Sequence, residues 1–519
     1  MESDQLAARP SRRRSAERAT MEGMRTDWSG YLRAGTMFLL AYIGFFFVSK
    51  LIGFTTGYAL DDYVIVRQGG LANQTEFFIS QGRYGSALME AILHACSLTM
   101  SSFSTIGLAA TALFSGLFYR DALRLPERGS PLLAIGLGAL LGAHPYYTEY
   151  VSFRQAALPM SLVFLGMWVA LQLYGKAFQP GSNRIHVLIA SLMVATLVMG
   201  VNQLAVSFMA IAVLCVHVRR LQNGELAAEG TSLIGRQAWL VPLFHAAITG
   251  AVLIACNLVV AKLMLAAFGI SSNQRTALVA SDMLIQRGHE LAGLLPTLWA
   301  KSETVASWPA KALAMVAFLV LLISNRFGQK RYTWLALLTF FATTAAALIP
   351  VTASGVWWPM PRTLIAVPFA LAAAIAVLIP TASLRFSWPG MLLVASGCIF
   401  AAHSQSILFN QQRLNRWDQM QARDISQLAA VRFPEVASKL AIVGPTWAHD
   451  VAQTITQGDL NVSALATSWA VDPLFDEATG RDQKVRIAPE FSELCASSPK
   501  YPDPASLHRE KDEVVVCMH

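Results

Sequence analysis

Ala34-Gly-Thr-Met-Phe-Leu-Leu-Ala-Tyr-Ile-Gly-Phe-Phe-Phe-Val-Ser-Lys-Leu-Ile-Gly-Phe-Thr-Thr56 runs directly into Gly57-Tyr-Ala-Leu-Asp61-Asp62-Tyr63. Lys50 is the single charged residue of the first stretch. An α-helix rises about 1.5 Å per residue, and a hydrocarbon core of about 30 Å takes about 20 apolar residues to cross. The stretch is therefore long enough to span a bilayer, and it delivers two adjacent carboxylates just past its end.

The same pattern recurs along the chain. Backbone polar groups have no water to bond within a bilayer, so long apolar runs there read as helices. Eleven runs qualify: 34–56, 100–119, 131–148, 156–175, 185–200, 203–218, 238–268, 310–325, 332–351, 362–380 and 388–407. Composition agrees. Of 519 residues, 54% are hydrophobic and 14% charged, with mean hydropathy +0.46. Soluble domains carry roughly 25% charged residues. A cytosolic enzyme, a disordered chain and a nucleic-acid binder all fit poorly, and a polytopic all-α membrane protein fits well.

Lysine and arginine fix the expected orientation. The first 33 residues hold seven arginines, and alternate loops bring that side to 19 basic residues against seven on the other, namely Arg67, Arg83, Arg154, Arg275, Arg287, Lys301 and Arg362. The amino terminus is expected in the cytoplasm, and after eleven spans the tail is expected outside. The net charge of +8 is then a topology signal, and no nucleic-acid partner is expected. Three regions result: a basic segment 1–33, a membrane domain 34–407 and an exported domain 408–519.

The tail differs in character, with 15 acidic and 11 basic residues. Asn410 to Val431 reads as an amphipathic helix, and 439–444 and 513–517 read as strands, giving a small α/β domain. Cys495 and Cys517 both fall in this exported part, where a disulfide can form; closing a loop of that size contributes about 3 kcal/mol. Cys96, Cys215, Cys256 and Cys398 lie in or beside spans and read as small core residues.

Three loops on the expected outer side carry candidate chemistry. The first holds Asp61 and Asp62, then Gln81-Gly-Arg83-Tyr84. Adjacent carboxylates repel, and one of them holds its proton more tightly unless a cation compensates. That suits a general base or a ligand for a divalent cation such as Mg or Mn; helix capping by Asp61 is the structural alternative. Arg83 is placed to neutralise the pair or hold a phosphate. The second loop reads His144-Pro-Tyr146-Tyr147-Thr-Glu149-Tyr150, then Phe153-Arg154-Gln155, where Arg154 has the geometry for phosphate and the tyrosines and His144 read first as packing residues. The third reads Trp357-Trp358-Pro-Met-Pro361-Arg362, with indole faces for sugar stacking or interface anchoring and an arginine opening an apolar helix. Lys50 reads as snorkelling outward, and Asn202-Gln203 as capping or binding hydroxyls. The loop 269–309 shows no singled-out role.

Asp61-Asp62-Tyr63, Gly82-Arg83-Tyr84, Phe153-Arg154 and Pro361-Arg362 together resemble the bacterial glucosyltransferase II family, the Gtr-type enzymes that decorate O-antigen in lipopolysaccharide. More broadly the chain is similar to GT-C glycosyltransferases. Gln155 departs from the acid expected after the second-loop arginine. The resemblance implies an integral enzyme of the bacterial inner membrane with a periplasmic tail. It would take a sugar, glucose by the family, from a polyprenyl-phosphate donor to a lipid-linked or surface glycan, with inversion. Asp61 or Asp62 would be the base, and Arg83, Arg154 and Arg362 would bind the donor phosphate. Tyr63, Tyr84, Glu149, Gln203, Trp357 and Trp358 would line the substrates. A transporter or flippase is the competing class, but such proteins place ionisable residues near the midplane between interrupted helices. A non-catalytic assembly subunit docking through its tail is the third.

Overall fold

The computed structural model describes residues 34–54, 59–67, 72–125, 130–179, 181–225, 240–273, 277–303, 305–326, 330–379, 388–444, 460–481 and 483–518. The basic segment 1–33 lies outside them. Seven helices are long and apolar enough to cross a membrane: Met100–Leu123, Arg154–Lys176, Arg184–Val201, Ala205–Gln222, Leu240–Phe268, Trp308–Asn325 and Trp388–Arg432. The other four expected spans coincide with shorter apolar helices, Ala34–Lys50, Pro131–Ala143, Tyr332–Ala347 and Val367–Leu378.

Burial separates the centre of the bundle from its rim. The apolar window of Ala205–Gln222 is 94% buried, whereas that of Leu240–Phe268 is 17% buried. The rim helix instead exposes large apolar side chains such as Phe244, Val259 and Leu263, as a lipid-facing helix must. Small residues let central helices approach. A Cβ on Gly138 would come 2.6 Å from the Phe38 carbonyl oxygen, and Gly142, one turn on, meets the Tyr42 backbone in the same way. This glycine pair four residues apart is a known close-packing device between membrane helices. It also settles Lys50, which does not snorkel: the residue is fully buried, and its Nζ donates to the Gly142 carbonyl and the Ser49 hydroxyl, both at 2.9 Å.

Trp388–Arg432 is one continuous helix of 45 residues, so the junction expected at 408 falls inside it. Beyond it lies a four-stranded sheet. Strands β1 (Lys439–Val443), β2 (Lys484–Ile487), β3 (Leu507–Glu510) and β4 (Glu513–Cys517) are ordered β2-β1-β4-β3. β1 is parallel to both neighbours, and β3 and β4 form an antiparallel hairpin. The central strands β1 and β4 are the apolar runs visible in the sequence. A disulfide joins Cys495 to Cys517, tying the short helix Ser492–Ser497 to β4.

This small domain is not detached from the membrane part. The helix Leu60–Arg67 buries Leu60 and Tyr63, one turn apart, in the domain's own apolar core beside Ile425, Val471, Leu474 and Phe475. The helix carrying the two aspartates is thereby clamped between the domain and the bundle.

Candidate active site

Asp61 and Asp62 occupy the first turn of Leu60–Arg67, where carboxylates complement the positive end of the helix. Successive helical residues point about 100° apart, so the two do different things. Asp61 is half-buried. Asp62 is fully buried and reaches back to accept from the Ala59 backbone N–H at 3.0 Å, the acidic half of a capping box. It also accepts from the N–H groups of Arg154 at 3.1 Å and Gln155 at 3.4 Å. Those two amides open the helical run Arg154–Lys176, whose first N–H groups have no partner within the helix. One carboxylate therefore caps two helices and staples the first loop to the second. Burial pushes Asp62 up to about 7, against the pull of its three N–H donors, and the neighbouring Asp61 charge adds to the rise.

Arg83 is presented by an equally specific turn. Gly82 adopts φ +68°, which a side chain disfavours, and the Gln81 carbonyl is held by Gln203 Nε2 at 3.0 Å. The following helix, Tyr84–Ala95, lies against the end of Arg184–Val201. A Cβ on Gly85 would sit 2.9 Å from the Gly200 carbonyl carbon, and the Tyr84 hydroxyl donates to the Thr196 carbonyl at 2.9 Å. Arg83 is half-buried. Its charge acts on the Tyr150 hydroxyl together with those of Arg362 and Glu149, and Asn202 Nδ2 donates to the same hydroxyl at 3.0 Å. Tyr150 thus marks where the loops meet.

The third loop is locked to the second. Glu149 is fully buried; its carboxylate accepts from Arg362 Nη1 at 3.0 Å and from the Arg362 backbone N–H at 2.7 Å. The Arg362 guanidinium also lies 4.5 Å from the Trp358 ring centroid and 5.2 Å from that of Phe153. Removing one partner of a buried pair strands the other, at about 3–5 kcal/mol. Glu149→Ala is accordingly expected to lower the Tm more than Glu149→Ala combined with Arg362→Leu, as measured by thermal unfolding in detergent.

The remaining expected residues are placed as follows. Arg154 is half-buried beside Asp62. Tyr63 is buried in the seam with the C-terminal domain, and its hydroxyl accepts from Asn415 Nδ2 at 3.4 Å. Tyr84 packs on Gly200, and Gln203 supports the Arg83 turn. Trp357 carries the Arg287 guanidinium at 5.0 Å, so each tryptophan has an arginine on its ring. His144 is buried against Tyr146 and Phe400, with both ring centroids 4.6 Å away. Among the described residues no three His, Cys, Asp or Glu side chains gather as a metal cage. The aspartate pair fits a divalent ion poorly, because both Asp62 oxygens already accept from backbone amides.

Three residues were given no role from the sequence. Arg287 holds the third loop through the Ser354 carbonyl at 2.9 Å. Glu303 pairs with Lys311 and accepts from the Tyr146 hydroxyl. Glu90, two turns beyond Arg83, is 1% exposed and neither carboxyl oxygen has a partner. Burial raises it from its ordinary 4.5 to about 7. A raised carboxyl leaves its full contribution present below the unfolded value and loses it as pH rises to the folded one. Wild type is therefore expected to lose Tm relative to Glu90→Gln between about pH 4.5 and 7, with a constant gap above, in a thermal scan across pH.

No curated protein matches the chain. A family model does, over residues 51–379, a stretch that includes Asp61, Asp62, Arg83, Glu149, Arg154, Gln203 and Arg362 and more than half of the molecule. With these residues gathered at one end of an apolar helix bundle, the chain belongs to the family described as glucosyl transferase GtrII.

Proposed function

We propose that the protein transfers glucose from a polyprenyl-phosphate donor to a hydroxyl of a surface glycan, such as O-antigen, at the periplasmic face of the bacterial inner membrane. In this reading the chain crosses the membrane eleven times, with its amino terminus cytoplasmic and its C-terminal domain periplasmic. The observation that carries it is the division of labour within the aspartate pair, inside the stretch matched by a glucosyltransferase family.

Asp62 is committed to backbone amides, which leaves the half-buried Asp61 as the base. Asp61 takes the acceptor hydroxyl proton as that oxygen attacks the anomeric carbon of glucose. The bond from that carbon to the phosphate oxygen breaks on the opposite face, giving inversion. Polyprenyl phosphate leaves with one more negative charge, which Arg83 and Arg154 stabilise by charge-assisted hydrogen bonds. Arg362, whose charge Glu149 already matches, holds the second and third loops together. A donor tethered to lipid fits a site at the mouth of a helix bundle, because nucleotide sugars are not supplied outside the cytoplasm.

Comparing the mass of surface polysaccharide from cells with and without the gene tests this reading. Loss of one hexose per repeat is expected. An unchanged glycan with altered solute uptake would favour a carrier instead.

A further inference from the structure

The end of the bundle away from Asp61 carries a second polar cluster that the transfer reaction does not use. The helices Arg154–Lys176, Arg184–Val201 and Ala205–Gln222 each have one end at the site above and the other here, about 30 Å away for a 20-residue helix. Phe178 lies at the centre. The guanidinium carbons of Arg184 and Arg220 are each 4.6 Å from its ring centroid. Arg124 ends the helix Ser104–Leu123, and its Nη2 lies 3.1 Å from where a Cβ on Gly175 would stand, so its guanidinium packs against the end of the helix that carries Tyr174. Beneath them, Tyr174 and His217 Nε2 share a hydrogen bond of 2.8 Å, and the His217 ring packs on His245 at 3.9 Å. The charges of Arg220, Arg184 and Arg124 all act on the His217 ring.

Two observations point to a ligand. His217 is fully buried, yet its Nδ1 has no hydrogen-bond partner, which is costly for a buried polar atom. Neither Arg124 nor Arg184 makes an ion pair among the described residues, whereas Arg220 Nε lies 3.4 Å from Glu225 Oε2, so the cluster holds more positive than negative charge. Beside the cluster, the helices Arg184–Val201 and Leu240–Phe268 expose Ile185, Ile189, Phe244 and Ile248, an apolar track leading away from it. A cationic cluster beside an apolar track matches a molecule with an anionic head and alkyl chains.

We propose that Arg124, Arg184 and Arg220, with His217 beneath them, bind the phosphate of an anionic phospholipid headgroup at the membrane face opposite Asp61. The planar guanidiniums match phosphate oxygens. With the Tyr174 hydroxyl donating to Nε2, the His217 Nδ1–H supplies a further donor. The acyl chains lie along Ile185, Ile189, Phe244 and Ile248. The bound lipid ties together the helices that carry these arginines, and this function is independent of glucose transfer.

The test is a thermal-unfolding titration of the purified full-length protein in neutral detergent with phosphatidylglycerol, phosphatidylcholine or inorganic phosphate. Phosphatidylglycerol is expected to raise the Tm saturably and phosphatidylcholine not to. Arg124→Gln combined with Arg184→Gln is expected to raise the half-saturating concentration about tenfold or more, while Asp61→Asn leaves it unchanged. Arg184→Gln alone, at an exposed side chain, gives the same direction if the double variant does not fold. Equal midpoints in variant and wild type, or equal effects of the two lipids, would overturn the site. Arginine-dependent stabilisation by inorganic phosphate matching that by phosphatidylglycerol would overturn its assignment to a lipid.

Discussion

Asp61→Asn is expected to cut glucose transfer by about 10²–10⁴-fold, the usual contribution of a positioned base, while the Tm stays within experimental error of wild type. The asparagine keeps the shape and can still accept a hydrogen bond in the first turn of Leu60–Arg67. What it cannot do is take a proton from an attacking hydroxyl. Asp61 is half-buried, and the isosteric asparagine keeps its place in the first turn. In the proposed mechanism donor binding falls to Arg83 and Arg154 and should persist, so the loss should fall on kcat with KM for the donor nearly unchanged. A loss confined to KM would move Asp61 from chemistry to binding.

Asp62→Ala is expected to behave in the opposite way. It leaves the N–H groups of Ala59, Arg154 and Gln155 without the acceptor they share, the first of them buried and the other two half-buried. An orphaned buried donor costs about 1–3 kcal/mol, so the variant should lose at least that much and show a lower Tm. Activity should fall with it, because the staple that joins the helix carrying Asp61 to the turn carrying Arg154 is gone. Asp62→Asn should lie between, since its amide oxygen can still accept from one side while its NH₂ faces donors. Limited proteolysis should then cut first near the 59–67 helix and the loop around 153–156 that Asp62 joins. A folded, fully active Asp62→Ala protein would refute this division of roles.

How much of this was legible in the sequence follows from the range of the forces involved. Apolar runs and turn residues are local, so each expected span found an apolar helix, and the two most apolar strands of the tail were visible. The four-residue strands β2 and β3 were not, because only one residue of each is buried and no apolar run marks them. Four loop residues of the site, Asp61, Asp62, Arg83 and Arg154, stood out because ionisable groups beside a span are conspicuous. Their distinct roles were hidden. Whether Asp62 is a base or a cap depends on amides 92 and 93 residues away. Lys50 read as snorkelling because nothing local announces the Gly142 carbonyl that holds it. Arg362 read as a phosphate clamp because its match to Glu149 spans 213 residues. Arg287 and Glu303 sit in a loop with no periodicity, and only the folded neighbours give them a purpose.

The most direct measurement is transfer by the purified protein in lipid, comparing polyprenyl-phosphate-glucose with a nucleotide-linked glucose on the isolated surface glycan. Glucose should pass to the glycan from the lipid-linked donor alone, and Asp61→Asn should abolish it at unchanged Tm. Transfer from the nucleotide sugar, or full transfer by Asp61→Asn, would contradict the account.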